Sequence, residues 1–230
     1  MSNIAAIFLK QIKDTLKNKT VLIQFLMFPL ITLVMQNTIK LDNMPENFFV
    51  NLFSVMYIGM APLTSTAAII SEEKETGTLR SLMMSNVSPI QYLVATGGYV
   101  FLLCIGGCAI LCAAGGYTGS CAAVFMALCA FGTLVSVFLG AAIGVFSTGQ
   151  MMATSITVPV MLVLSFLPML SMFNSTIEKI ARFFYSQQIS TLINKIGDFS
   201  LNLESMVIMA ANIIITLILF LTAYKKRGLV

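Results

Sequence analysis

The one charged cluster set between apolar runs is Ser71-Glu72-Glu73-Lys74-Glu75-Thr76-Gly77-Thr78-Leu79-Arg80-Ser81-Leu82. Leu79, Leu82 and Met83 fall at i, i+3 and i+4, so a short helix here would carry one apolar stripe behind an acidic approach. Gly77 can permit a tight turn ahead of it. This combination suits docking into a groove on a partner better than bond-making chemistry. On pattern alone a solvated loop is the simpler reading.

Other chemistry is largely closed off. The 230 residues contain no His and no Trp, which excludes histidine-based metal, haem and acid–base sites. No HExxH occurs and a Ser-His site is impossible. Gly197-Asp198 is preceded by Lys195-Ile196 rather than by the Gly-x of a membrane aspartyl protease. Cys104, Cys108, Cys112, Cys121 and Cys129 form no Cys-x-x-Cys pair and read as small apolar packing residues. No Gly-x-x-x-x-Gly-Lys-Ser/Thr loop is present to cradle ATP phosphates.

The elements around the cluster belong in a membrane. Of all residues 58% are hydrophobic and only 10% charged, too apolar a balance for a soluble fold. Apolar runs of spanning length occur at about 20–38, 48–70, 91–114, 121–146, 151–173 and 206–224, which predicts an all-α protein of about six transmembrane helices within 20–230. Residues 1–19 place Ile4, Phe8, Ile12 and Leu16 opposite Lys10, Lys13, Asp14 and Lys17, as in an amphipathic helix on a membrane surface. With the N-terminus inside, Lys10, Lys13, Lys17, Lys19, Lys74, Arg80, Lys225, Lys226 and Arg227 lie inside, and Lys40, Lys179, Arg182 and Lys195 outside. Nine against four predicts both termini on the cytoplasmic side of a cell membrane. The basic residues flank spans rather than forming one face, so they read as topology determinants and not as a nucleic-acid surface.

From Ser81 to Ile177 there is no Asp, Glu, Lys, Arg or His. Three consecutive spans therefore lack the relays of ion-coupled transporters and the charged rings of many channels. In the fourth span Gly132, Ser136, Gly140 and Gly144 recur every four residues, a small-residue face for close helix approach. Packing within the chain is the simpler reading of it than a subunit contact. The outer segment 174–205 suggests interfacial helices. Polar groups within spans, Asn51, Ser54, Tyr57, Thr64 and Ser65 in the second and Thr154, Ser155 and Thr157 in the fifth, must find partners or a wet cavity. Hydrogen bonds to neighbouring backbone and a cargo pathway both fit.

The run Glu72-Glu73-Lys74-Glu75-Thr76-Gly77-Thr78-Leu79-Arg80-Ser81-Leu82 resembles the motif of ATP-binding-cassette (ABC) exporter permeases, in which an acidic stretch, Gly-Thr-Leu and a Leu-rich turn follow the second span. The basic N-terminal helix, Pro29 in the first span, the tight fourth-to-fifth connection, and Leu164-Ser165 with Pro168 in the fifth are similar too. The resemblance implies a six-span permease working with a second permease chain and two ATPase subunits. Segment 71–90 would then be a cytoplasmic coupling segment in which Glu72, Glu73, Glu75, Gly77, Thr78, Leu79 and Leu82 form or position the ATPase contact. ATP and Mg would sit on the partner ATPases and no cofactor on this chain, which borrows its drive. The cargo would be amphipathic or hydrophobic, such as a drug, lipid or antimicrobial peptide. Two positions depart from the family: Asn86 stands where proline is frequent, and Ala95-Thr96-Gly97 where a lysine is. A non-transporting immunity or sensor module and a passive channel are the competing classes.

Overall fold

In hydrocarbon a backbone has no water to bond, so a chain this apolar satisfies its N–H and C=O groups within helices. The computed structural model describes residues 3–17, 19–39, 47–198 and 202–227, and over these every regular element is helical. In order these are α1 (Asn3–Lys17), α2 (Lys19–Thr38), α3 (Phe48–Glu75), α4 (Thr78–Met84) and α5 (Pro89–Ala114). There follow α6 (Gly119–Phe146), α7 (Gln150–Ser171), α8 (Ser175–Ala181), α9 (Tyr185–Asn194), a 3-10 turn and α10 (Leu203–Arg227). Five of them, α3, α5, α6, α7 and α10, are each long and apolar enough to cross a membrane. The sixth predicted span, 20–38, is α2, which qualifies only when taken with α1 across a bend of 68°. Lys40, one of the four outer cations of the topology argument, lies outside the described residues, as do the side chains of Lys19 and Arg227.

α3 is the central helix and touches α2, α5, α6, α7 and α9. Its contact with α6 explains the four-residue stripe. A Cβ added at Gly140 would lie 2.5 Å from the Leu63 carbonyl oxygen, and one at Gly144 2.8 Å from Ile70. A Cβ at Gly132 would meet Ile58 and Ile189, and the Ser136 hydroxyl donates to the Ile58 carbonyl at 2.7 Å. All four stripe residues thus serve packing inside the chain.

Two expectations are corrected. The acidic residues Glu72, Glu73 and Glu75 are not in a loop, because α3 continues past residue 70 to Glu75 and the Thr76 N–H still closes on the Glu72 carbonyl. Glu and Lys are good helix formers, and nothing stops the helix before Gly77. The segment 174–205 is not simply interfacial either. α9 is wedged among α3, α6, α7 and α10, with Tyr185, Ile189, Leu192 and Ile193 buried. The Tyr185 and Ser136 hydroxyls are 2.6 Å apart, while Cys121 Sγ reaches the Ile196 carbonyl at 3.9 Å. Ser136 and Cys121 are about 22 Å apart along α6, so α9 starts deep in the bundle and climbs along α6 toward its first turn, while α8 stays exposed against α7. Two of the polar side chains this brings inside are satisfied there, Ser171 donating to Gln187 at 2.9 Å and Gln188 to the Arg182 carbonyl at 2.5 Å, while the Ser186 hydroxyl has no partner among the described residues.

Candidate functional site

The end of the bundle where α3 stops also holds α4, the starts of α5 and α7, and the last turns of α6 and α10. The four successive charges there point in different directions, as a helix requires. Glu73 turns inward and is 7% exposed. Its carboxylate pairs with Lys10 and accepts a hydrogen bond from Gln11 Nε2 at 2.9 Å, and the Tyr92 side chain stands beside it. Lys74 donates to the Val145 carbonyl at 2.8 Å, one of the orphan acceptors at the end of α6. Glu75 accepts the Gln150 N–H at 2.6 Å, a carboxylate on the positive end of α7. Glu72 is exposed and lines a cleft of 280 Å³ with Lys10, Asp14, Glu73, Thr76 and Thr78. Three carboxylates against one ammonium leave that cleft acidic.

Sequence reasoning missed the part of α1 in this site. Of the predicted stripe, Phe8 and Ile12 pack against the bundle while Ile4 and Leu16 are exposed. The face turned to the bundle is Ile7, Gln11 and Thr15, with Phe8 meeting Tyr99 edge-on at 5.6 Å between ring centroids. Polar Gln11 is buried because Glu73 is there to receive it. Lys10→Met is expected to destabilise the folded chain by about 1–3 kcal/mol, because it leaves the Glu73 carboxylate under-paired. The loss falls below that of a fully buried pair because the Lys10 side chain is 32% exposed. Adding Glu73→Gln should restore most of it, which thermal unfolding of the single and double variants would measure.

Gly77 has φ +72° and caps the start of α4. A Cβ there would meet nothing within 4 Å, so glycine is required by the backbone conformation and not by space. Leu79 is 1% exposed and packs with Ile7, Ile70, Val87, Tyr92 and Val145, and Leu82 and Met83 rest on the same cluster. The apolar stripe of α4 therefore docks onto its own bundle, which corrects the expectation that Leu79 and Leu82 face a partner. Outward stand Arg80, Ser81, Ser85 and Asn86, with Met84 82% exposed.

The two family departures have local causes. Asn86 has φ +64°, which a proline ring cannot adopt, and its carbonyl accepts from Asn3 Nδ2 at 3.2 Å. Just beyond it Ser88 and Gln91 form a capping box with Pro89 in the first turn of α5. Ala95 and Thr96 are buried, and a side chain at Gly97 would meet Val137 at 3.2 Å, so this stretch of α5 leaves no room for a lysine.

The eight span residues weighed as a cargo pathway are not gathered into one cavity. Asn51 bonds Asn194 at 2.9 Å and accepts from the Tyr117 hydroxyl at 2.6 Å, a polar clasp at the opposite end of the bundle. Burial raises the Tyr117 phenol above its usual range despite the lowering effect of Asn47 and Asn51, so it stays a neutral donor. Ser54 turns to the Val50 carbonyl and Thr64 to that of Met60 and to Gln24. Tyr57 is buried against Gly107. Thr154 and Ser155 are exposed on α7, Ser155 bonding the Met151 carbonyl. Tyr57, Ser65 and Thr157 differ in having buried hydroxyls without a hydrogen-bond partner among the described residues. Cys104, Cys108, Cys112 and Cys129 are free thiols in the core, and Cys121 is half-buried.

No curated protein matches the chain. The family model described as ABC-2 family transporter protein matches residues 1–224, nearly the whole length. That match agrees with an all-helical bundle of five or six spans bearing a helix-anchored charged turn after its second span. The chain is a multi-pass membrane protein and belongs to the ABC-2 family of transporter membrane proteins.

Proposed function

We propose that the chain is the permease subunit of an ATP-driven exporter whose charged end faces the cytoplasm. The ABC-2 family implies ABC ATPase subunits as partners, and in this reading they bind at α4 and the acidic cleft beside α1. ATP and Mg stay on those subunits, and a second permease chain completes the transporter for an amphipathic or hydrophobic cargo. One observation carries the reading: Leu79 pins α4 to the bundle, so that Arg80, Ser81 and Met84 are held outward beside a cleft of three carboxylates and one ammonium.

This geometry gives the residues of the segment distinct tasks. Glu72 faces the partner, and Thr78 borders the same cleft. Gly77, Leu79 and Leu82 position α4, while Glu73 and Glu75 fasten α3 to α1 and α7. A displacement of α4 is then passed to α3, which is about 40 Å long and ends near the Asn51–Asn194–Tyr117 clasp. Of the eight pathway candidates, Tyr57, Ser65 and Thr157 have buried, unspent hydroxyls to offer a cargo or a second subunit.

The test is the paired variant Arg80→Glu with Met84→Asp, both exposed, expressed with the ATPase. The permease should remain monodisperse while recovery of ATPase falls about tenfold or more, the effect of about 1.4 kcal/mol at a contact. Undiminished recovery together with full ATP-dependent transport would contradict the proposal.

A further inference from the structure

α10 packs chiefly along α6 and α9 and barely meets α7. A groove is left on each side of it near the charged end. The one between α6, α7 and α10 has a volume of 260 Å³ and is walled by Leu139, Ile143, Phe146, Ile156, Leu219 and Ala223. Only two lining residues are polar. The Thr222 hydroxyl is spent on the Leu219 carbonyl at 2.9 Å, and the other is Lys226. The second groove, on the α3 and α5 side, measures 380 Å³ and has no charged residue in its lining.

Lys226 is exposed in the last turn of α10 and takes part in neither ion pair found among the described residues, Lys10–Glu73 and Arg182–Glu204. The helices that form the rest of the groove offer it no counter-ion, since nothing from Ser81 to Ile177 is acidic. Leu139–Phe146 and Leu219–Lys226 run side by side toward the charged end over about 10 Å of helix. The groove is therefore apolar along its length and finishes on an ammonium at the membrane boundary, where a lysine stem reaches out of hydrocarbon. A phospholipid has the same polarity profile, and one with net negative charge suits an uncompensated cation best.

We infer that the α6–α7–α10 groove binds an anionic phospholipid, one acyl chain along Leu139, Ile143, Phe146 and Leu219 and the phosphate on Lys226. The site is independent of the ATPase contact and does not rest on that reading. The lipid would fill the space between α10 and α7, which among the described residues only Ile156 reaches from the α7 side.

The test uses the full chain in phosphatidylcholine nanodiscs doped with phosphatidylglycerol or phosphatidylcholine bearing a diazirine in one acyl chain. Phosphatidylglycerol should label peptides of α6 and α10 lining this groove about fivefold more than phosphatidylcholine, the factor given by about 1 kcal/mol per basic residue. The uncharged groove should show no such preference. Lys226→Gln should remove the preference, Lys225→Gln should keep it, and Leu219→Trp should lower labelling by both probes by filling the groove. Equal labelling of the parent by the two probes would overturn the site. Equal loss in Lys225→Gln and Lys226→Gln would replace it with diffuse attraction to the terminal cations. Cross-links between two copies of the chain across the groove, in place of lipid labelling, would also overturn it.

Discussion

Leu79→Asp is expected to yield no folded, monodisperse protein, whereas Met84→Asp in the same short helix should yield as much as the parent chain. Leu79 is 1% exposed among Ile7, Ile70, Val87, Tyr92 and Val145. A carboxylate there has no cation to pair with in that apolar cluster, and an unpaired buried charge costs several kcal/mol, comparable to a domain's whole stability. Leu79→Ala, which only removes contacts, should cost about 2–5 kcal/mol and leave a less heat-stable but folded chain. Met84 is 82% exposed, so its replacement removes nothing from the core. Size-exclusion profiles of the three variants, followed by thermal unfolding, separate the outcomes. A folded Leu79→Asp variant would mean that α4 does not dock on the bundle as described.

The second large effect concerns the α3–α6 contact. Gly140→Leu is expected to destabilise the chain by about 3 kcal/mol or more. Its Cβ alone would sit 2.5 Å from the Leu63 carbonyl oxygen and 3.1 Å from the Thr66 Cβ. A backbone oxygen in a packed helix cannot swing aside, so the two helices must separate along their contact. Gly106→Leu is the matched control on α5, where a Cβ would meet nothing within 4 Å, and it should be nearly neutral. The buried thiols of Cys104, Cys108, Cys112 and Cys129 supply the readout, since a thiol-reactive dye reaches them only as the bundle opens. Equal melting curves for the Gly140 and Gly106 variants would contradict the packing.

How much of this was legible in the sequence depended on which property was being read. The spans were legible because hydropathy over some twenty residues responds to how much apolar surface there is, and five or six helices of spanning length followed. The Gly132–Gly144 stripe was legible as a packing face because small residues at four-residue spacing have one obvious use in a membrane. Direction was not legible. Leu79 and Leu82 have the spacing of a docking face, but periodicity does not say whether the groove belongs to a partner or to the chain itself. Gln11 and Thr15 formed no part of the predicted apolar stripe of α1, and their burial follows from Glu73 and Tyr99 beside them. The segment holding α9 looked interfacial from the spacing of its apolar residues, yet its polar face also finds partners inside, Gln187 at Ser171 and Gln188 at the Arg182 carbonyl. In each case contacts within the folded chain, apolar for α4 and polar for α1 and α9, decided what the local pattern left open.

In the proposed complex an ATPase subunit meets this chain at the exposed side of α4, and site-directed cross-linking can detect that contact. A photo-crosslinking amino acid placed at Met84 can be compared with one at Phe173, which is 80% exposed near the opposite end of the bundle. With the ATPase co-expressed, the expected result is a permease–ATPase adduct from position 84 and none from position 173. Absence of the adduct from position 84, or equal adducts from both, would contradict the account.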